Sequence, residues 1–163
     1  MINKIIQNSI TSNNVKIYME NNKLNFSIDD TFYLTDDIGY PKEFCHRMLD
    51  FKFNSILIGG LGLGLIPYYL ENYKSIFNID VIEINQDVIN VVEELDHLKN
   101  TSISLGDVYN YGITKKYDLI LIDLWWLPED FTESDKMKLL HKYQSNLTDK
   151  GKIYFPINDV LIF

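Results

Sequence analysis

The 163-residue chain contains no alanine, one arginine (Arg47) and one cysteine (Cys45). A lone cysteine rules out an intrachain disulfide and any metal cluster built on several thiolates, and it suits a reducing compartment. Positive charge is also scarce. Fifteen basic side chains stand against 23 acidic ones, a net charge of −8. That balance opposes binding to a phosphate backbone, whereas a cationic ligand would be attracted. No apolar run is long enough to span a bilayer, and the N-terminus lacks the pattern of a secretion signal. The three histidines, His46, His97 and His141, have no metal-ligand spacing. No GxSxG elbow occurs, and no phosphate loop ending in Lys-Ser or Lys-Thr. These absences predict a cytoplasmic protein that binds neither membrane nor nucleic acid and needs no metal. Asn, Ile, Lys and Tyr replace the missing alanine and arginine, which reads as AT-rich codon usage and carries no chemistry.

What is present is a folding composition, 46% hydrophobic and 13% aromatic, sufficient for one domain with its own core. "VKIYME" and "KLNFSI" alternate around Asn21-Asn22 and predict a hairpin over residues 15–28, with "FYLTDD" a candidate third strand. "PKEFCHRMLDF" (41–51) carries Phe44, Met48 and Phe51 at helical spacing, with Pro41 suited to a first turn. Cys45 and His46 are therefore read as helix residues.

From residue 55 strands and helices alternate. The predicted strands are "SILIGG", "FNIDVIEI", "SISLGD", "YDLILIDLWW" and "GKIYFPI". The helices are "LIPYYLENY", "NQDVINVVEEL" with Asn85 as N-cap, and "SDKMKLLHKYQSNL". Repeated βα units imply an α/β fold with a mostly parallel sheet and helices on both faces. The expected organisation is a small β-hairpin-and-helix appendage (1–50) on a Rossmann-like domain (51–163).

Four of the eight glycines, Gly59, Gly60, Gly62 and Gly64, fall between the first predicted strand and the first helix. Ordered glycine is entropically costly, so the cluster predicts positive φ or close approach of a ligand. In open α/β sheets ligands bind outside the carboxyl ends of the strands, where this loop lies. A GxGxxG fingerprint begun at Gly60 would need glycine at Leu65, so the spacing is GxGxG instead. A tight turn without ligand is the alternative. Glu83 ends the second strand about 20 residues on, where a carboxylate can accept from both ribose hydroxyls; otherwise it caps the next helix. Asp107 closes the third strand, as a turn residue or a ligand contact. Asp123 leaves the fourth strand at the same sheet edge. Trp125 and Trp126 follow, either as the wall of a cation site or as packing residues.

Taken in order, "ILIGGLGLG", "VIEIN", "LGDV" and "YDLILIDLWW" resemble the class I S-adenosylmethionine-dependent methyltransferase superfamily. Within it they look most like the spermidine synthase branch, over roughly residues 15 to 156. The resemblance implies that Gly59, Gly60, Leu61, Gly62 and Gly64 pass flat against the ribose and methionine moieties. It places Glu83 and Ile84 at the ribose, Asp107 and Val108 at the adenine, and Asp123 and Leu124 at the reacting centre, with Asp123 catalytic. Tyr40, Trp125 and Trp126 are the acceptor-site candidates. The implied cofactor is S-adenosylmethionine or its decarboxylated form, without metal. The implied activity is transfer of a methyl or aminopropyl group to a small acceptor such as an amine.

This chain departs from the branch at several positions. Asn85 replaces the second acid of E-[IV]-D, and Trp126 stands where the D-x-x-D motif has its second acid. Pro41 and Lys42 follow Tyr40 where the branch has histidine and glutamate. The chain also stops soon after the fifth predicted strand. A shortened C-terminus would leave that strand as an unprotected edge, open to pairing with a second copy. Two other readings therefore stay open: a non-catalytic nucleoside-binding module that acts through a partner, and cleavage rather than transfer of the sulfonium ligand.

Overall fold

The aliphatic runs become strands in the computed structural model, which describes residues 9–20, 23–29, 31–35, 52–74, 76, 78–124, 131–156 and 160–162. The chain divides into two compact units, one of Met1–Phe51, Gly62–Ser75 and Asn85–Lys99, the other of Lys52–Leu61, Ile76–Ile84 and Asn100–Phe163.

The first unit holds an antiparallel sheet in chain order, β1 (Ile10–Ser12), β2 (Val15–Glu20), β3 (Lys23–Ile28) and β4 (Thr31–Thr35). The predicted hairpin is β2–β3, in a register that runs from Val15 opposite Ile28 to Glu20 opposite Lys23. Val15, Ile17 and Phe26 are buried while Lys16 is exposed, the period-two pattern of a half-covered sheet. β4 is the candidate third strand. β1 has no strong sequence signal, because three residues are too few to show alternation.

The same unit contains α1 (Leu65–Lys74) and α2 (Gln86–Glu94). Val88, Ile89, Val91 and Val92 form the buried face of α2, and the Asn85 side chain caps it by accepting from the Asp87 amide. Asp87 in turn accepts from Ser12 Oγ at 2.7 Å and Asn13 Nδ2 at 2.9 Å, which ties the β1–β2 turn to the start of α2. The Asn21-Asn22 turn and the predicted 41–51 helix, with Cys45 and His46, lie outside the described residues.

The second unit is a six-stranded sheet of β5 (Ser55–Gly59), β6 (Asn78–Glu83), β7 (Thr101–Leu105), β8 (Tyr117–Ile122), β9 (Leu147–Phe155) and β10 (Val160–Ile162). The spatial order is β10-β9-β8-β5-β6-β7, parallel except for β10. β5 and β8 are almost wholly buried, which explains their unbroken aliphatic sequences. One expectation is corrected here. The fifth predicted strand, β9, is not an open edge, because β10 pairs with it from Val160 opposite Phe155 to Ile162 opposite Ile153.

Helix α3 (Glu133–Tyr143) begins at a Thr132/Asp135 capping box and buries Leu139 and Tyr143. These pack with Leu57, Ile120, Ile122, Ile153 and Phe155 into the core of this unit. The helix ends earlier and β9 begins earlier than the sequence pattern suggests, because a short 3-10 turn, Gln144–Asn146, intervenes. Among the described residues no helix is long and apolar enough to cross a membrane.

Candidate functional site

The sheet grows outward from β5 to β6 and β7, then returns to the other side of β5 for β8 and β9. The strand order therefore reverses between β5 and β8, and the carboxyl ends there form the crevice in which α/β sheets bind ligands. Gly59 lies opposite both Ile122 and Ile82, and Glu83 opposite Leu105. Backbone bonds extend the pairing just past these ends. The Asp123 amide donates to Gly59 O at 2.8 Å, the Gly60 amide to Ile82 O at 2.9 Å, and the Gly106 amide to Glu83 O at 2.8 Å. The sequence-predicted Gly60, Glu83 and Asp123 are thus brought into one row along the sheet edge.

Gly60 has φ +94, and a Cβ there would sit 2.2 Å from the Asp123 carbonyl oxygen. Only glycine fits, so this turn brings main chain against main chain at the switch point. Glu83 is buried, and one of its carboxylate oxygens accepts from the Leu61 amide at 2.9 Å. The helix-cap alternative for Glu83 is removed, since Asn85 caps α2. Glu83 holds the loop instead.

Asp123 is only partly covered by accessible surface, yet enough protein surrounds its carboxyl that desolvation pushes it up to about 6. Its side chain has no hydrogen-bond partner among the described residues, and no cation offsets the burial. A desolvated carboxylate without a counter-charge is poised for a cationic or proton-bearing ligand.

Asp107 takes the turn position that the sequence allowed. One oxygen accepts from the Tyr109 amide at 2.9 Å, the other from Asn110 Nδ2 at 2.6 Å. A carboxylate has about four acceptor sites, so these bonds do not exhaust it. Val108 is a core residue. Its side chain lies under Gly59, where an added Cβ would meet Val108 Cγ2 at 2.9 Å. Ile84 is 71% exposed, an unusual cost for a large aliphatic side chain just past a strand end. Leu124 is half-buried. Tyr40, Trp125 and Trp126 lie outside the described residues, and the remaining loop glycines, Gly62 (φ +51) and Gly64 (φ +68), belong to the first unit.

Two residues without a sequence motif support this architecture. Tyr143 is fully buried and donates its hydroxyl to Val108 O at 2.6 Å, which pins the chain after β7. Its spacing of four from Leu139 was the only sequence hint. His97 is buried beside Gly64, and nothing in its sequence context marks it. Among the described residues no group of three or more His, Cys, Asp or Glu could hold a metal ion.

No protein-family model matches the chain, and no curated protein matches it in sequence. Solved structures do. The glycopeptide N-methyltransferase MtfA matches with a TM-score of 0.58 and 16% identity, over 74% of this chain and 53% of that one. Coclaurine N-methyltransferase, bound to N-methylheliamine and SAH, matches with a TM-score of 0.60 and 18% identity, over 85% and 38%. An S-adenosylmethionine-dependent methyltransferase from Clostridium acetobutylicum ATCC 824 matches with a TM-score of 0.58 and 19% identity, over 77% and 50%. MtfA complexes with S-adenosyl-L-methionine and with S-adenosyl-L-homocysteine match as well. The chain has the Rossmann-like fold of class I S-adenosylmethionine-dependent methyltransferases. It spans between 38% and 53% of the length of these three neighbours.

Proposed function

We propose that the chain binds S-adenosylmethionine at the β5–β8 switch point and passes its methyl group to a small acceptor, of which an amine suits the acidic edge best. The observation that carries this reading is Asp123, a desolvated carboxylate with no counter-charge among the described residues, beside a glycine turn that admits no side chain. A sulfonium supplies the missing positive charge, and an acceptor N–H supplies a proton. The acceptor lone pair attacks the methyl carbon while the C–S bond breaks and its electrons return to sulfur as a neutral thioether. Alignment contributes most of the rate, and Asp123 orients the acceptor and takes its proton. Glu83 would accept from the ribose hydroxyls while holding the Leu61 amide. Exposed Ile84 offers an apolar surface for the base, and Asp107 can accept from its amino group.

Aminopropyl transfer from the decarboxylated cofactor is the finer alternative raised by the spermidine synthase resemblance. Trp126 in place of a second acid weighs against it. The same substitution favours a second reading, a nucleoside-binding module without turnover. Calorimetric titration with S-adenosylmethionine, its decarboxylated form and 5′-methylthioadenosine separates these readings. Preference for the intact cofactor supports methyl transfer, preference for the decarboxylated form supports aminopropyl transfer, and absence of binding removes the nucleoside site.

Glu83→Gln keeps an oxygen for the Leu61 amide but removes the charge and one acceptor. A hydrogen bond to a charged group contributes roughly 1.5–3 kcal/mol, so affinity for every adenosine ligand should fall about tenfold or more. The factor should be similar for all three ligands, because the contact does not involve sulfur. Unchanged affinities in a folded variant would confine Glu83 to its loop-holding role.

A further inference from the structure

The turn after β7 is held in place without help from the side chain of Asn110. The Asp107 carbonyl accepts from the Asn110 amide at 2.9 Å and from the Tyr111 amide at 2.7 Å. Asp107 Oδ1 accepts from the Tyr109 amide at 2.9 Å. From the core, the Tyr143 hydroxyl donates to Val108 O at 2.6 Å, and the Gly106 amide ties the start of the turn to Glu83 O at 2.8 Å. Asn110 itself is exposed, where an amide side chain commonly bonds to water. Its Nδ2 instead donates to Asp107 Oδ2 at 2.6 Å. That contact fixes the rotation of the carboxylate, which the turn does not require.

The pair also leaves hydrogen-bonding capacity unused. Asp107 Oδ2 keeps a further lone pair, and the Asn110 amide keeps a second N–H. An acceptor and a donor therefore stand side by side just past the end of β7. The adenine edge that carries the 6-amino group and N1 presents the complement, a donor beside an acceptor. Hypoxanthine and guanine present the reverse there, a 6-oxo acceptor beside an N1–H donor. The pair is also in line with Glu83, which lies opposite Leu105, two residues before Asp107. Exposed Ile84 follows Glu83 on the same side of this edge row.

We propose that Asn110 is a specificity-determining residue of the nucleoside site: it holds Asp107 so that the carboxylate accepts from the 6-amino group, and its own second N–H donates to N1. The base this pair selects is a 6-aminopurine, and a 6-oxopurine is rejected because both contacts become repulsive. This rests on the reading of the sheet edge as a nucleoside site. Discrimination then comes from two mismatched contacts at once, and each depends on the Asp107–Asn110 bond.

The test is calorimetric titration with 5′-methylthioadenosine and its 6-oxo counterpart, 5′-methylthioinosine. The wild-type protein should prefer the amino base by roughly 10- to 100-fold, the discrimination expected of a paired donor–acceptor contact to a base edge. Asn110→Ala removes one contact and frees Asp107 to rotate, so the preference should fall about tenfold. Asn110→Ser, whose hydroxyl is too short to bridge, should behave alike and guards against a folding defect in the first variant. Asp107→Asn keeps an oxygen for the Tyr109 amide and turns the other group into a donor. Its preference should move towards the 6-oxo base. A residue that merely braces the turn would lower both affinities by one factor and leave their ratio unchanged. Equal binding of both ligands by the wild-type protein, or the wild-type ratio in a folded Asn110 variant, overturns the proposal and spares the nucleoside site. Failure of the wild-type protein to bind either ligand overturns both.

Discussion

Asp123→Asn should give a protein that is more stable at neutral pH and almost inactive. The two effects share one cause. Desolvation raises the carboxyl to about 6, so the fold prefers it neutral. The stability due to that preference is complete below the ordinary aspartate value and is lost as pH rises through about 6. At pH 7.5 the group is ionised, desolvated and uncompensated. Replacing it with an amide of the same shape removes that cost, about 1–2 kcal/mol once the solvent that still reaches the group is allowed for. Urea denaturation at pH 3.5, 5 and 7.5 measures it: the gain should be largest at pH 7.5, already present in part at pH 5, and nearly absent below the ordinary aspartate value. Turnover with an amine acceptor should fall roughly 10²- to 10⁴-fold, the usual contribution of a positioned acid–base group. Wild-type turnover should rise with pH through about 6 as the carboxylate forms. Binding of neutral 5′-methylthioadenosine should change little. If stability and turnover fall together in the variant, Asp123 is a structural residue and the catalytic reading fails.

The order of βα units was legible because each parallel strand is buried on both faces, so "SILIG" and "YDLILI" read as unbroken aliphatic runs. The strand-end acids were legible for the complementary reason: a carboxylate directly after such a run has no role in the core. Sequence did not show that Glu83 also holds the Leu61 amide, nor that Asp107 is engaged in its own turn. Those bonds depend on chain approach across 22 residues in one case and on local turn closure in the other. β10 was missed because three residues carry too little pattern, and its pairing with β9 overturned the open-edge expectation.

Gly60→Ala should cost more stability than any other single-methyl addition in the sheet's crevice, more than about 3 kcal/mol, a large fraction of the stability of an ordinary domain. Two penalties combine. A φ of +94 is strained for any L side chain, and the new Cβ would stand 2.2 Å from the Asp123 carbonyl oxygen. Main chain rather than a flexible side chain is in the way, so relief requires β5 and β8 to part just beyond their last pair, Gly59 with Ile122. That movement breaks the Asp123 amide bond to Gly59 O and strains the Gly60 amide bond to Ile82 O. Gly112 provides the control, because nothing lies within 4 Å of a Cβ built there. Gly112→Ala should stay within about 0.5 kcal/mol of wild type, as surface substitutions do. Urea melts of the two variants give the comparison. A Gly60→Ala midpoint close to that of Gly112→Ala would mean that the strand ends can part without loss. The switch-point crevice would then not be the rigid, glycine-dependent frame that places Asp123.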